Sequence, residues 1–382
     1  MSLDIGVFGI RDVPSTYSGY ETFLGELLPR LVDRGHRVTV YVRGEPGERE
    51  PYRGIRRVRT AAIRSKQLDT LSHSWTAGFA AARARHDVSL VCNVANSLAL
   101  AALRPFGLRS VLNVDGQEWR RGKWSAAGRA YFRGSAHLAR FASRALVTDC
   151  RAMADVYRDE FRAASVVIPY PVPESAAPEP DELAPILERW DVVPDGFLFT
   201  GGRLVPENNI ERIAERYVAT EHPYPLLVAG TANYDSPVVR RLDELAGDDP
   251  RIRPIGHVDD RRAFAALLAG SRLYLHGHSV GGINPSAVEA LAAGANIAAF
   301  DTPFNREAIG DAGSVFGLDG SFDAVVEAAL GDEGLPAARE RARRRARDWF
   351  DLDDITDAYE EILRRAASIR SPRLVTRWAA AR

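Results

Sequence analysis

Short apolar segments alternate with amphipathic helical segments along most of this 382-residue chain. The segment Tyr20–Arg34 has helical spacing, with Phe23, Leu27 and Leu31 on one face and Gly35 after its end. In the first half, strands are predicted at Ile5–Gly9, Arg37–Val42, Val88–Cys92, Ser110–Asn113, Ala145–Thr148 and Val166–Ile168. Because a crossover helix joins parallel strands, this alternation predicts a doubly wound α/β sheet.

The alternation stops at a proline-rich stretch and then resumes. It resumes at Phe197–Gly202, and further strands are predicted at Leu226–Ala229, Ile252–Ile255, Arg272–His276, Asn296–Ala299 and Ser314–Phe316. We therefore predict two Rossmann-like domains, residues 1–170 and 196–350, joined by a Pro-rich hinge over residues 171–195. Residues 351–382 are predicted to form a helix that returns to the first domain, followed by a tail. Ligands of such sheets bind at the carboxyl ends of the strands, here in a cleft between the domains.

The composition is typical of a globular protein, with 46% hydrophobic and 26% charged residues. The sequence has no apolar run of membrane-spanning length and no basic-led apolar start, which predicts neither a membrane span nor a signal peptide. Cys92 and Cys150 lie in apolar segments and are predicted to be buried free thiols in a reducing compartment. These features favour a cytoplasmic protein.

Charge is distributed unevenly along the chain. Residues 1–170 contain 26 Lys and Arg against 16 Asp and Glu, whereas residues 171–382 contain 24 against 35. A basic first half suits an anionic acceptor, a membrane surface or nucleic acid. Nucleic acid is disfavoured because the basic residues are dispersed and no recognition module is visible.

One segment in the second half has the pattern of a phosphate-binding turn. A predicted strand, Leu273–Leu275, is followed by Gly281 and Gly282 and by a helix predicted to begin after Asn284. The glycines allow a ligand close to the backbone, and a helix N-terminus favours an anion. Glu289 lies just over one turn inside that helix, within reach of a sugar hydroxyl. The alternative is an ordinary strand–turn–helix connection.

Metal binding is not predicted. His276 and His278 lack a third ligand at suitable spacing, and Asp351-Leu352-Asp353 lies between helices and does not follow a strand. No Walker loop and no zinc-spaced Cys/His set is present in the sequence. The sequence therefore predicts neither a metal nor another cofactor.

Four segments in order resemble a known family: Pro14–Phe23, Asn113–Trp124, Gly202–Asn209 and His276–Glu289. Over essentially its whole length the chain resembles the GT-B-fold, retaining glycosyltransferases of family 4. The most similar branch contains bacterial β-1,4-rhamnosyltransferases of cell-surface polysaccharide assembly. The resemblance implies the GT-B fold, with two Rossmann-like domains that face each other across a cleft, and a nucleotide-sugar donor.

The resemblance implies a donor site in the second domain. Arg203 matches the family's donor-phosphate arginine, and Glu289 matches the glutamate that holds the nucleotide ribose; a surface Arg and a helix-surface Glu are the alternatives. The family's first paired glutamate is replaced by Gly281, and its usual lysine by Asn208-Asn209. His276, His278 or Ser279 are candidates to replace the lost carboxylate. The predicted donor-binding residues are Ser18, Gly19, Arg203, Asn208, His276, His278, Gly281, Gly282, Asn284, Ser286, Glu289 and Asn305.

The resemblance implies an acceptor site in the first domain. Asp115 either orients the acceptor hydroxyl and takes its proton, or caps the next helix. The basic and aromatic residues from Trp119 to Trp124 fit either a lipid-diphosphate acceptor at a membrane or core packing beneath charged residues. The predicted acceptor-binding residues are Tyr17, Glu21, Asp115, Glu118, Trp119 and Arg120, and the predicted catalytic residues are Asp115, Arg203 and Glu289.

Together these features predict a cytoplasmic glycosyltransferase, peripheral on the inner face of the plasma membrane, that acts with retention and without metal. The predicted donor is dTDP-β-L-rhamnose, because Gly281 replaces the carboxylate that contacts other donor sugars. The acceptor is a saccharide or a lipid-diphosphate-linked saccharide. The alternatives are a UDP- or GDP-hexose donor, a GT-B-fold sugar-nucleotide epimerase, and a non-catalytic binding module.

Overall fold

The computed structural model describes residues 2–14, 19–43, 47–63, 69–114, 116–122, 124–172, 178–232, 236–331 and 334–368. Three predicted site residues, Tyr17, Ser18 and Asp115, lie outside the described residues, as does the tail from residue 369 onward. The chain divides into two compact units, Met1–Pro173 with Leu352–Arg382, and Glu174–Asp351.

Strands and helices alternate through both units. The strands β1 to β14 are Asp4–Phe8, Arg37–Arg43, Gly47–Tyr52, Ile55–Thr60, Val88–Cys92, Ser110–Asn113, Ala145–Thr148, Val166–Val167, Leu198–Gly201, Leu226–Ala229, Ile252–Gly256, Leu273–His276, Ile297–Phe300 and Gly313–Phe316. The helices α1 to α14 are Gly19–Asp33, Asp69–Ala84, Ser97–Leu103, Ala126–Ala142, Arg151–Phe161, Pro180–Leu187, Ile210–Val218, Pro237–Asp248, Arg261–Gly270, Pro285–Ala293, Pro303–Ile309, Ser321–Ala329, Leu335–Trp349 and Leu352–Ser368.

The first unit is built on a sheet that, in its described part, has eight strands in the order β3-β4-β2-β1-β5-β6-β7-β8. All neighbouring strands are parallel except β3 and β4, which pair antiparallel. The β3–β4 hairpin is missing from the sequence prediction. Its strands contain Glu48, Arg49, Glu50, Arg56, Arg57 and Arg59, and so many charges conceal the apolar alternation by which a strand is recognised.

Helix α14, the last described helix, packs within the first unit against α1, β5 and β6. Its apolar residues, including Tyr359 and Ile362, join Phe23 and Leu27 of α1 in the core. The Tyr359 hydroxyl also accepts a hydrogen bond from the Asn113 side chain at the end of β6. The core of this unit is therefore completed by a segment that is distant in sequence.

The second unit has a fully parallel sheet, with the order β11-β10-β9-β12-β13-β14 in the described residues. If the strands are numbered within this unit, their order is 3-2-1-4-5-6. The second and third strands lie on one side of the first strand, and the fourth to sixth lie on its other side. The order reverses between β9 and β12. Ligands of doubly wound sheets bind at this position, beyond the carboxyl ends of the strands.

The hinge predicted over residues 171–195 contains regular structure. Helix α6 begins at Pro180, and Glu179 and Glu182 form a capping box at its start. Proline suits the first helical turn because its missing N–H has no intrahelical partner there. The Leu187 side chain packs against Gly270 of α9, so α6 belongs to the second unit. The proline count therefore overstated the length of the hinge.

Cys92 and Cys150 are both buried and form no disulfide, as predicted. Among the helices of the described ranges, none has both the length and the apolar composition that crossing a lipid bilayer requires.

Candidate functional site

Two loops meet where the strand order of the second unit reverses, one after β9 (residues 202–209) and one after β12 (residues 277–283). The backbone N–H of Ser279 donates to the carbonyl of Glu207 at 2.9 Å. The Asn209 amide donates to the carbonyl of Gly277 at 2.8 Å. The residues after β9 therefore fix the path of the loop after β12.

Gly277 allows these loops to approach each other. A Cβ at this position would lie 2.1 Å from the carbonyl oxygen of Asn208 and 2.8 Å from Ile213 Cδ1. Gly281, four residues later, has φ 124°, a conformation that side chains rarely adopt. Gly277 was not among the predicted site residues, because only its close approach to another loop shows its role.

Asn208 joins the two loops through its side chain. Its Nδ2 donates to the carbonyl of Arg203 at 2.8 Å, and its Oδ1 lies 2.9 Å from Nδ1 of His278. The side chains of Asn208 and His278 thus bind each other, and their predicted contact with the donor stays a prediction. An asparagine here supplies loop geometry in place of the family's lysine charge.

Arg203 is exposed at the carboxyl end of β9. In the described part of the chain no carboxylate forms an ion pair with its guanidinium. Arginine can bind phosphate through two parallel charge-assisted hydrogen bonds, and a group already paired to a carboxylate would be less available for this. The guanidinium of Arg203 is thus available to an anion.

Helix α10 begins at Pro285, as the sequence predicts, but its first turn has few free donors. Pro285 has no N–H, and the Ser286 N–H donates to Oδ1 of Asn284 at 3.0 Å. The N–H of Ala287 donates to the Asn284 carbonyl at 3.0 Å. The Ser286 N–H and hydroxyl both bind Oδ1 of Asn284, and the predicted contact of these two residues with the donor stays a prediction. The positive end of the helix dipole remains.

The free donors lie in the preceding loop. Gly281 and Gly282 are both buried, and their N–H groups have no hydrogen-bond partner among the described residues. Buried backbone N–H groups almost always have a partner. Successive unpaired amides in a glycine loop form a concave site for an anion. This glycine pair, with Arg203 on the adjacent loop, is the strongest indication of a ligand in the second unit.

His276 is the last residue of β12. Nδ1 of His276 lies 3.2 Å from the Tyr274 hydroxyl, and the imidazole tautomer decides which of the two donates. The Ser286 hydroxyl donates to Oδ1 of Asn284 at 2.7 Å. Nε2 of His276 is buried and has no hydrogen-bond partner in the described residues. The side chain is 3% exposed, and burial lowers the pKa of His276 to about 4, so the ring is neutral.

Glu289 lies one turn further along α10, with 24% of its side chain exposed. Burial raises the pKa of this carboxyl, and Arg261 opposes the effect with an ion pair of 3.4 Å. The carboxylate is thus partly desolvated and available to accept hydrogen bonds from hydroxyl groups. This placement fits the predicted contact to a ribose.

Asn305 on α11 supports the loop after β12. Its side chain is buried, and Nδ2 donates to the carbonyls of His278 and Phe300, both at 2.8 Å. The Nδ2 group of Asn305 is used by backbone carbonyls, whereas its Oδ1 has no partner among the described residues, and donor binding by Asn305 stays a prediction. The sequence contains no signal for this, because the partners are distant main-chain atoms.

In the first unit, two predicted acceptor residues are buried. Glu21 is 2% exposed and accepts a hydrogen bond from the N–H of Arg11 at 3.0 Å, which fixes the loop after β1. Trp119 packs edge-on against Tyr157 and Phe161, with ring centroids 5.9 and 4.8 Å away. These contacts give Glu21 and Trp119 structural roles, and their predicted contact with an acceptor stays a prediction.

The neighbouring charged residues are paired. Glu118 binds Arg121 at 2.9 Å and accepts from Nε1 of Trp124 at 2.6 Å, and Arg120 forms an ion pair with Glu160. Of the two interpretations of this basic–aromatic stretch, the structure favours packing beneath paired charges.

A small depression lies near the carboxyl ends of β5 and β6 in the first unit. Its lining consists of Tyr20, Asn93, Val94, Val114, Gly116 and Glu118. Of the predicted acceptor residues that the structure describes, Glu118 lines it. Gly19 is the first residue of α1, directly before Tyr20. In the described ranges, no group of three or more His, Cys, Asp or Glu is placed to hold a metal ion.

Comparison with known proteins gives a family match within the first half of the chain. Residues 17–175 match the family model described as Glycosyltransferase Family 4. The chain is 26% identical over 140 residues to O-antigen chain mannosyltransferase B of Escherichia coli, a match that spans 36% of each protein. The chain therefore spans about a third of the curated relative that it matches.

Solved structures are similar over nearly the full chain. A sucrose-phosphate synthase from Thermosynechococcus elongatus superimposes with TM-score 0.78 at 15% identity, covering 95% of this chain and 98% of that one. Anabaena Alr3699/HepE in complex with UDP-glucose gives 0.75 at 14% identity, covering 95% and 100%. A trehalose-phosphate synthase from Burkholderia vietnamiensis gives 0.71 at 11% identity, covering 96% and 98%. The chain thus has the GT-B fold, and its first domain matches the model of glycosyltransferase family 4.

Proposed function

We propose that the protein is a retaining glycosyltransferase that uses a nucleotide-diphosphate sugar without a metal ion. The observation that carries the proposal is at the buried residues Gly281 and Gly282, whose N–H groups have no hydrogen-bond partner among the described residues. Arg203 on the adjacent loop has no ion pair in the same part of the chain. These groups lie where doubly wound sheets bind nucleotides. They suit a diphosphate, which needs several donors and one or more cations.

The rest of the donor is assigned to the remaining polar groups. Glu289 accepts hydrogen bonds from the nucleotide ribose or deoxyribose. Nε2 of His276, which has no partner among the described residues, is assigned to a hydroxyl of the donor once the glycine loop admits it. It would replace the carboxylate lost at Gly281. A neutral imidazole accepts one hydrogen bond, whereas a carboxylate accepts several, so the donor sugar should be recognised differently.

The reaction would proceed on one face of the sugar. The bond between the anomeric carbon and the β-phosphate oxygen breaks, and the leaving diphosphate is stabilised by Arg203 and the glycine amides. The acceptor oxygen forms its bond to the anomeric carbon from the same side. Its proton passes to the leaving phosphate oxygen or to Asp115, whose role stays a prediction because it lies outside the described residues.

The donor that we propose first is dTDP-β-L-rhamnose, on the basis of Gly281 and the four resembling segments. The similar proteins give two other candidates, since one is named a mannosyltransferase and another was solved with UDP-glucose. A GDP- or UDP-hexose donor is therefore the main alternative. The acceptor would be a saccharide or a lipid-linked saccharide, and the protein would act in the cytoplasm on the inner membrane face.

Product analysis tests the proposal. The protein is incubated with dTDP-rhamnose, UDP-glucose and GDP-mannose, each with and without simple saccharide acceptors and with added chelator. We expect nucleoside diphosphate release that depends on acceptor and persists in chelator, and a product whose anomeric configuration by NMR matches that of the donor. A changed sugar nucleotide formed without acceptor would instead identify an epimerase. Binding without turnover across acceptors, including lipid-linked ones, would indicate a non-catalytic module.

A further inference from the structure

Three helices of the first unit expose large apolar side chains to solvent. Helix α2 packs beside α3, and α3 beside α4. Exposure is 75% for Phe106, 63% for Phe79 and 54% for Phe141. Single exposed apolar residues are common, but a group of them on neighbouring helices is typical of an interaction surface. We define the α2–α4 surface as five exposed apolar residues and four arginines: Trp75, Phe79, Leu98, Phe106 and Phe141, with Arg83, Arg104, Arg109 and Arg140.

The charged residues of the α2–α4 surface are all arginine. Helices α3 and α4 and the turn Arg104–Phe106 contain no Asp or Glu, and α2 has Asp69 as its first residue. The four arginines of the surface form no ion pair within the described chain. The Arg140 guanidinium lies 4.3 Å from the centroid of the Phe141 ring, and Arg104 donates to the carbonyl of Phe141. Cations and rings are thus interleaved.

A further arginine shows how closely these charges lie. Burial, followed by the like charges of Arg109 and Arg104, lowers the pKa of Arg144. The carbonyls of Ala366 and Ala367 at the end of α14 accept hydrogen bonds from Arg144 and Arg109. Residues 369–382, which follow α14 in sequence, contain four Arg, one Trp and no Asp or Glu.

The sign of the charge limits what can cover this surface. A second copy that docked through the same surface would bring arginines against arginines, and the C-terminal residues carry the same sign. Charge complementarity favours an anionic partner. Nucleic acid would neutralise the arginines, but it would leave the aliphatic Leu98 without a suitable environment. An anionic bilayer meets both requirements, since phosphates bind arginine and the interface takes up aromatic and aliphatic side chains.

We propose that the α2–α4 surface docks the protein on an anionic lipid bilayer. Phe79, Phe106 and Phe141 enter the interface, and the arginines bind lipid phosphates. The inference rests on the proposed function in one respect, that a lipid-linked acceptor is presented at such a surface. It also moves the membrane contact away from the Trp119–Trp124 segment, where the sequence suggested it.

Vesicle flotation with the full chain tests this docking. The vesicles are phosphatidylcholine alone, or phosphatidylcholine with about 30 mol% phosphatidylglycerol, which gives the negative surface potential of a cytoplasmic leaflet. One variant carries Phe106→Ser and Phe141→Ser, and another carries Arg83→Gln and Arg109→Gln. The matched controls are Val193→Ser, at an exposed apolar residue of the second unit, and Arg344→Gln with Arg347→Gln on α13.

We expect the protein to bind the vesicles that contain phosphatidylglycerol and not those of phosphatidylcholine alone. This binding should be lost at high salt. An arginine near an anionic surface contributes about fivefold in affinity, so the double arginine variant should bind about 30-fold more weakly. The double phenylalanine variant should also lose binding, and both controls should bind as wild type. Binding that all variants retain, binding to single-stranded RNA but not to vesicles, or dimerisation that the same variants abolish would overturn the proposal.

Donor binding, measured by calorimetry on the same preparations, separates the two proposals. Vesicle docking that fails while a nucleotide sugar binds refutes the membrane surface alone. Docking that succeeds while no nucleotide sugar binds refutes the proposed function and leaves the surface in place.

Discussion

Gly277 offers a direct test of how the two loops of the second unit build the donor site. Replacement by Ala places a Cβ 2.1 Å from the Asn208 carbonyl, whereas real Cβ contacts are essentially never under 3.0 Å. The loops must therefore move apart by about 0.9 Å, the difference between those distances. Flexible side-chain rotation cannot relieve this clash, because the nearest atom is backbone.

The displacement has two consequences of different size. Overpacking at a tight site costs about 1–3 kcal/mol of unfolding free energy. The separation also moves Arg203 relative to the glycine amides by a large fraction of an ångström. A misplacement of about 1 Å at a reacting site costs on the order of 100-fold in rate. We therefore expect a modest loss of stability and a much larger loss of donor affinity and turnover.

Denaturant unfolding and calorimetry with nucleotide sugar measure these effects. The matched control is Gly247→Ala in α8, where an added Cβ has no atom within 4 Å. Because glycine is a poor helix former, that control should be stabilised by about 0.5–1 kcal/mol and should bind the donor normally. The reasoning is refuted if Gly277→Ala keeps wild-type stability and wild-type donor affinity.

Two further predictions concern buried polar groups. Burial lowers the pKa of His276 from 6.5 in the unfolded chain to about 4 in the folded chain. Between pH 6.5 and pH 4 the unfolded chain therefore binds a proton at His276 and the folded chain does not. Stability present above pH 6.5 should fall by about 2–4 kcal/mol toward pH 4, and His276→Gln should flatten the pH dependence of denaturant unfolding. Tyr359→Phe removes the acceptor of the buried Asn113 amide and should cost about 1–2 kcal/mol in the same assay, whereas an unchanged value would contradict this bond.

Much of the fold could be predicted because parallel strands are buried on both faces. Val88–Cys92, Ser110–Asn113 and Leu226–Ala229 read as continuous apolar runs, and their observed bounds equal the predicted ones. The β3–β4 hairpin lies at the sheet edge, where charged residues are tolerated and the apolar signal is lost. Helix α6 was missed because its prolines fit a first turn as well as a linker.

The candidate site was only partly predictable for a related reason. The start of α10 after Asn284 follows from a capping residue, which is a local signal, whereas the roles of Arg203 and Glu289 are implied by the family resemblance and stay predictions. The use of Asn305 and Trp119 depends on contacts between segments distant in sequence. Local sequence also could not show that the free amides belong to Gly281 and Gly282, because this depends on which donors Asn284 satisfies.

Calorimetric titration of dTDP, UDP, GDP and their sugars into wild type and Arg203→Ala tests the central claim most directly. Arg203 is exposed and unpaired among the described residues, so its removal leaves no buried group unsatisfied. A charge-assisted hydrogen bond contributes about 1.5–3 kcal/mol, which predicts diphosphate binding about 10- to 150-fold weaker in the variant. Arg344→Ala on α13 is the control and should bind as wild type. Equal affinity in wild type and Arg203→Ala, or no nucleotide binding by wild type, would contradict the assignment of a diphosphate site to these loops.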